Sequence, residues 1–482
     1  MSLLVSIPAT WKRERKYAID VVLGSLLGQP YVVTCDGHED VVLRHAGRAD
    51  DGKLSIADAF FSHAEARWLD PASLPIRPLE HWSHGDTSRA RVAVEPGLPI
   101  IYGRKHESGA WFVEAGQQSY LGLDVFGSAF FMLTRYEELV KAERDEHERF
   151  PAAASLAYQE GFLERPIVNE YAEILWACMK RLWPWLERPR RQAQTFLSHD
   201  VDWPLLPEAR PRRLLLNLGG DFLKRRHPGL ALQRLRAYAR RRRGDHTLDP
   251  HNTFDLLMNT SEEHGVRSAF YFIAGHSGGT IDGEYTLDDP FIRNLMRRIH
   301  ERGHEIGLHP SYHTFRDGRR LEAEFHTLLR AADALGIQQD AWGGRQHYLR
   351  WEAPTTWRSW DRAGLAYDAS VGYADHVGFR TGTCDEHPVF DPLSSRVLSL
   401  LERPLAVMEA TLLSKLYMGL APDEATRRIE ALTSRCRRLG GAFSLLWHNN
   451  HFIEHRAYPT LYRRWIGLVT RAAGDPTQSS SG

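Results

Sequence analysis

The chain has 482 residues, 43% of them hydrophobic and 25% charged, with 61 Lys+Arg against 61 Asp+Glu. This is the composition of an ordinary globular protein of two or three domains, and its neutrality removes any global charge argument for a nucleic-acid partner. Four scattered cysteines without a CxxC pair exclude a disulfide scaffold and a Cys-rich zinc site, and point to a reducing compartment.

Residues 13–28 have apolar positions at three- and four-residue steps (Ile19, Val22, Leu23, Leu26, Leu27), which predicts a helix ending at Gly28. The start of the chain lacks a signal-peptide layout, and no run reaches the ~18 apolar residues of a membrane span. A soluble, cytoplasmic protein of bacterial style is expected. Short strands are predicted at Tyr31–Thr34, Val41–Leu43, Leu98–Tyr102 and Ala110–Val113. A long helix is expected from Asp124 to Arg144, then another from Val168 to Leu182, stopped by Pro184. Residues 1–190 therefore read as a smaller α+β domain with its own core. Its Arg135/Glu137/Glu138 group is expected on a solvated helix face.

The stretch Thr195-Phe-Leu-Ser-His-Asp-Val-Asp-Trp-Pro204 is an apolar strand ending in two carboxylates. Residues two apart on a strand share a face, so Asp200 and Asp202 project together while Val201 turns into the packing. Paired carboxylates repel unless a cation or proton joins them. An Asx turn before Trp203-Pro204 is the bland alternative.

A basic excursion follows, at about residues 206–248. Between Arg210 and Arg243 lie twelve Arg/Lys and one acid, Asp221, with enough leucines for two amphipathic helices. Such helices suit an anionic lipid surface or a phosphate-bearing substrate, and a solvated surface insertion fits equally well.

From Phe254 the chain alternates helix and strand. Helices are predicted at 254–264, 289–302, 321–335 and 355–363, and strands at 268–273, 304–309, 341–345 and 365–368. This is the rhythm of a parallel sheet or barrel, in which strand C-terminal ends carry the chemistry. His309-Pro-Ser-Tyr-His313 closes one such strand. Pro310 suits the first position of a helical turn, which would bring His309 and His313 onto one face. Two His and one Asp form a three-ligand site with an open position, as catalytic zinc prefers. One HxxxH among 24 His is weak, and its place after a strand-end DxD is what gives it weight. Gly343–Trp351 offers Arg345, His347 and Tyr348, Tyr367-Asp368 ends another strand, and Phe443–Trp447 leads into His448.

With these motifs in order, residues 193–470 resemble the polysaccharide deacetylase (NodB-homology, carbohydrate esterase family four) superfamily. The resemblance implies an α/β fold, a distorted incomplete (β/α) barrel over residues 191–475. It implies Asp200 as general base, Asp202, His309 and His313 as ligands of Zn²⁺ (or Co²⁺ or Ni²⁺), and Arg345 as the holder of the base. Asp368 is implied as the residue that tunes the acid, and His448 as the general acid. Tyr348, Trp351 and Trp447 stand as sugar-contacting aromatics. Residues 1–190 resemble an uncharacterised domain found ahead of bacterial deacetylase-like proteins. The implied activity is N-deacetylation of an acetamido sugar. Without an export signal the substrate expected is a cytoplasmic, nucleotide- or lipid-linked precursor of cell-surface polysaccharide, with no nucleic acid involved and peripheral membrane contact through the basic insertion. Two other readings remain open: hydrolysis of another C–N bond (formamide or ureide), and an inactive glycan-binding protein.

Overall fold

The computed structural model describes residues 2–47, 52–64, 67–82, 94–207, 211–223, 228–241 and 243–471. Its first part contains β1 (Leu3–Ile7), α1 (Lys12–Ile19), β2 (Tyr31–Cys35), β3 (Val41–His45), β4 (Lys53–Ile56), α2 (Phe60–Ala64), β5 (Glu80–Trp82) and β6 (Leu98–Ile100). It continues through β7 (Phe112–Ala115), β8 (Gln118–Leu121), α3 (Val125–Leu133), α4 (Tyr136–Val140), α5 (Leu156–Gln159) and α6 (Ile167–Leu182). Six of the strands form one mixed sheet in the order β2-β1-β3-β4-β8-β7, while β5 and β6 pair separately. The predicted N-terminal helix runs on from α1 as a π-helix over Asp20–Leu26, and Gly28 follows at φ 62°.

The expected helix 124–144 is broken. Asp124 caps α3 through Gly127 N–H (2.7 Å), but Arg135 takes φ 54° and redirects the chain into α4. A non-glycine residue in the left-handed region is costly, and it persists where the surroundings demand it. Here the turn delivers the Arg135 guanidinium to Glu137 (2.9 Å) and Glu138 (2.8 Å). The expected solvated face does not exist, because all three side chains are buried.

The second part holds β9 (Gln194–Val201), α7 (Pro211–Leu223), α8 (Pro228–Arg241), α9 (Phe254–Glu263), β10 (Ser268–Ile273), α10 (Pro290–Glu301), β11 (Glu305–His309) and α11 (Gly318–Asp333). Then come β12 (Gly343–Gly344), α12 (Thr355–Ala363), β13 (Tyr367–Asp368), β14 (His387–Asp391), β15 (Arg396–Glu402), β16 (Val407–Met408), α13 (Glu409–Leu413), α14 (Pro422–Arg438), β17 (Ala442–Leu446) and α15 (Tyr458–Thr470). The nine strands order as β14-β15-β13-β12-β11-β10-β9-β17-β16. All neighbours are parallel except β14 with β15. The sheet is mixed α/β and open, with no closed barrel among the described residues. The basic excursion forms the hairpin α7–α8; its residues 208–210, 224–227 and 242, Arg210 and Arg242 included, lie outside those described. No helix among the described residues is long and apolar enough to cross a membrane.

The two parts share a core. Phe390 and Tyr373 pack into the apolar cluster of the first sheet, Phe390 lying 5.3 Å from Phe130 and 5.0 Å from Tyr17, ring to ring. Across the same seam Arg380 grips Glu138 (2.5 Å) and donates to Gly372 O (2.8 Å), while Arg135 donates to Arg380 O. The core expected to belong to residues 1–190 alone therefore extends into the second half.

Candidate metal centre

Asp200, Asp202, His309, Arg345, His347 and His448 all lie at, or within three residues of, the C-terminal end of a parallel strand, where the backbone turns away and space opens. At the end of β9, Val201 is buried in the core, and Asp200 and Asp202 sit on the opposite face. Asp202 Oδ1 is 3.1 Å from His309 Nε2 and 3.8 Å from His347 Nε2, and these three residues form a group able to hold a metal ion.

The imidazole tautomers follow from their partners. His309 Nδ1 is 2.5 Å from the Arg345 carbonyl, which only accepts, so Nδ1 carries the proton. His347 Nδ1 donates in the same way to Asp282 Oδ1 (2.8 Å). Both rings are thus pinned at Nδ1 and turn an Nε2 lone pair inward, the arrangement of a metal-ligating histidine and its outer partner. Asp282 is itself held by Gly278 N–H (2.6 Å) and Tyr312 N–H (2.8 Å). Asp202 Oδ1, despite its proximity to His309, is buried with no aligned hydrogen-bond donor. Two converging imidazole lone pairs beside one orphaned carboxylate oxygen fit a divalent cation. Burial pulls His309 down, but the Asp200 and Asp202 carboxylates outweigh it and raise it above the usual imidazole value.

His347, which the sequence offers without assigning it to the metal, completes the group able to hold an ion, and the expected ligand His313 stands exposed outside it. The helical turn it needed does not form, since Pro310–His313 run as a loop and the 3₁₀ turn begins only at Thr314. The loop's amides are engaged elsewhere, Ser311 N–H on Glu324 (2.8 Å) and His313 N–H on Ser277 Oγ (2.8 Å), which directs the His313 ring away beside Arg350 (3.4 Å). Tyr348 at φ 61° and Leu349 at φ 53° follow His347. Two successive left-handed residues are strained at about 1–3 kcal/mol each, and strain of that kind gathers at functional sites.

Asp200 is buried. Its Oδ1 accepts from Arg345 Nη1 at 2.8 Å, and its Oδ2 lies 3.8 Å from His309 Nε2 and 3.9 Å from His448 Nε2. Arg345 is fixed in turn by Ala369 O (2.9 Å) and Ser198 Oγ (2.9 Å).

His448 faces the pair of aspartates, with Nε2 3.7 Å from Asp202 Oδ2, and donates from Nδ1 to Glu409 Oε1 at 2.7 Å. Burial opposes its charged form, but Glu409 first, then Asp202 and Asp200, overcome that and raise it to about 10. The expected partner, Asp368, does not touch it. Asp368 accepts from Ser370 N–H (2.9 Å) and Ser370 Oγ, and burial pushes it up to about 7. Burial first, and then the nearby Asp368 carboxyl, raise the neighbouring Glu402. Asp368 sits on β13, four strands from β9, whereas Glu409 follows β16, which pairs with the strand that leads into His448. Glu409, His448 and His451 also lie close enough to hold an ion. Both Nδ1 atoms, however, point at one oxygen, Oε1, at 2.7 and 2.5 Å, where protons account for the contacts.

Of the three aromatics expected to meet sugar, only Tyr348 is accessible, at 39%. Trp351 is buried against Trp357 and Arg380, and Trp447 among Phe452, Tyr462 and Trp465. Both are core residues, Trp351 in the loop ahead of α12 and Trp447 one residue past β17.

Residues 3–184 match a family of unknown function, DUF7033. No curated protein matches the chain. Among solved structures, one from Mycobacterium smegmatis, provisionally described as a polysaccharide deacetylase, is similar with 19% identity over 59% of this chain and 86% of its own, at a TM-score of 0.37. That likeness is loose.

Proposed function

We propose that the second half is a metal-dependent hydrolase that removes the acetyl group from an acetamido sugar of the kind used in cell-surface polysaccharide synthesis. One observation carries the reading: the Asp202, His309 and His347 lone pairs converge beside an Arg-held carboxylate and a carboxylate-held imidazole. The open nine-stranded sheet, with all site residues at strand C-terminal ends, suits an incomplete (β/α) barrel of the NodB type.

Asp202, His309 and His347 would hold a divalent cation such as Zn²⁺, which would supply Lewis acidity to the water and the amide carbonyl. Asp200, held by Arg345 at 2.8 Å, takes the proton of the attacking water. His448, held protonated by Glu409, hands its proton to the departing nitrogen, which is otherwise a very poor leaving group. Tyr348 stands at the accessible edge beside His347, 4.8 Å between ring centres, where it meets the face of a sugar ring.

The test is acetate release by the zinc-loaded protein from free, nucleotide-linked and lipid-linked acetamido sugars, with Asp200→Asn as the silent control. Formate or a ring-opened ureide as product would move the reading to another C–N bond. Tight sugar binding with no acid released would make the chain a glycan-binding protein.

A further inference from the structure

Immediately after Asp202 the chain leaves the sheet as the α7–α8 hairpin and returns at Asp249. The base of this excursion is tied to the site. Leu206 N–H donates to Asp249 (3.1 Å), Arg241 to Leu206 O (2.6 Å), and both His251 Nδ1 (3.1 Å) and Asn449 Nδ2 (3.0 Å) to Trp203 O. One side of α8 is buried through Ala231, Arg234 and Ala237 at three-residue steps, and α7 buries Leu214. A helix packed by one stripe ordinarily turns a polar face outward. Here the outward face carries leucines: Leu215 is 68% exposed, Leu216 77% and Leu223 85% on α7, with Leu232 at 49% and Leu235 at 44% on α8. Five of the fifteen exposed large apolar side chains among the described residues thus fall on this one hairpin, with Arg236 and Arg243 exposed beside them.

We infer that the α7–α8 hairpin docks this protein on an anionic lipid surface, with the candidate metal centre close to the bilayer. Two features select that occupant. The segment from Arg210 to Arg243 carries twelve Arg/Lys and one acid, which complements a negative headgroup layer at about 1 kcal/mol per cation near the surface. Exposed leucines interleaved with arginine have no use on a phosphate backbone, but they bury into the headgroup–acyl boundary. A second copy of the chain is disfavoured because it would bring two such cationic surfaces together. A cavity of about 760 Å³ lies between the hairpin base and α10, lined by Trp203, Leu205, Leu206, Tyr285, Phe291 and Arg241, so a recess of mixed apolar and polar lining adjoins the segment that follows Asp202.

The experiment is co-sedimentation of the full chain with vesicles of phosphatidylcholine alone and of phosphatidylcholine with phosphatidylglycerol. Binding to the anionic vesicles and none to the neutral ones is expected. The combined change Leu216→Asp, Leu223→Asp and Leu235→Asp should weaken binding on the order of tenfold or more, with an unchanged far-UV spectrum because these side chains are exposed. Arg236→Glu with Arg243→Glu should weaken it several-fold, and added salt should weaken it further. The inference is overturned by no sedimentation with anionic vesicles at low salt, by binding indifferent to the leucine changes, or by a leucine-dependent dimer that ignores vesicles. Because the readout is sedimentation, either result leaves the hydrolase reading standing or falling on its own test.

Discussion

Two clusters of buried charge lie in this molecule, and they are built to opposite ends. At the seam between the two sheets, Arg135 and Arg380 meet Glu137 and Glu138, with Lys141 reaching Glu137 from the rim (3.3 Å), and the guanidinium N–H groups also reach Gly372 O and Arg380 O. At the strand ends, Asp200, Asp202, Asp282 and Glu409 face a single guanidinium, Arg345, and four imidazoles, His309, His347, His448 and His451. The first cluster is closed by its own charges. The second is short of positive charge and directs lone pairs at one point, so it needs protons or a cation to be complete. A buried charge cluster is therefore informative about function when its balance does not close.

The sharpest way to break this contrast is at the open cluster. His347→Ala or Asp202→Asn should abolish stoichiometric zinc binding measured by elemental analysis, while His313→Ala should leave it intact; the reverse pattern would restore the His309/His313 pairing. At the closed cluster, Arg380→Ala leaves buried Glu138 with Arg135 as its one remaining guanidinium and should lower unfolding stability by about 3 kcal/mol with zinc content unchanged, read by denaturant titration. Between the two in kind, Glu409→Gln should cut kcat by about 10²-fold at little cost in KM or metal content, since it acts through the proton donor alone. Asp282→Asn, which loosens one ligand without removing it, should weaken zinc affinity by about 10–100-fold, measured by competition with a chelating dye.

The smallest expected effect concerns pH. Burial alone would raise Glu138, but Arg380 and Arg135 override it and hold it below its usual value near 4.5. A depressed carboxylate contributes stability that is fully present above its unfolded value and is lost as pH falls through the lower folded one. Glu138→Gln should therefore flatten the loss of stability on acidification below about pH 4.5 and leave neutral behaviour of the metal centre alone, provided the pair is compared at equal zinc occupancy.

Wherever a side chain's direction depends on its own element, it was legible in the chain itself. The two-residue step of β9 put Asp200 and Asp202 on one face and Val201 in the core, and the strand Glu305–His309 ended on a ligand. Helices such as Thr355–Ala363 and strands such as Ser268–Ile273 followed their periodicity and their glycine stops. Residues whose role depends on a neighbour from another strand were not legible. His347 enters the site because Tyr348 and Leu349 turn left-handed and Asp282 pins its ring. Glu409, not Asp368, reaches His448 because β16 pairs with β17 at the sheet's far edge, an order that chain position does not reveal. His313 shows the converse, since its i+4 spacing promised a shared face and the loop amides went to Ser277, Asp282 and Glu324 instead. Periodicity is a local property of the backbone, so one sequence suffices to state it. Which lone pairs converge is set by strand order, register and loop anchoring, and those are decided only when the whole chain packs.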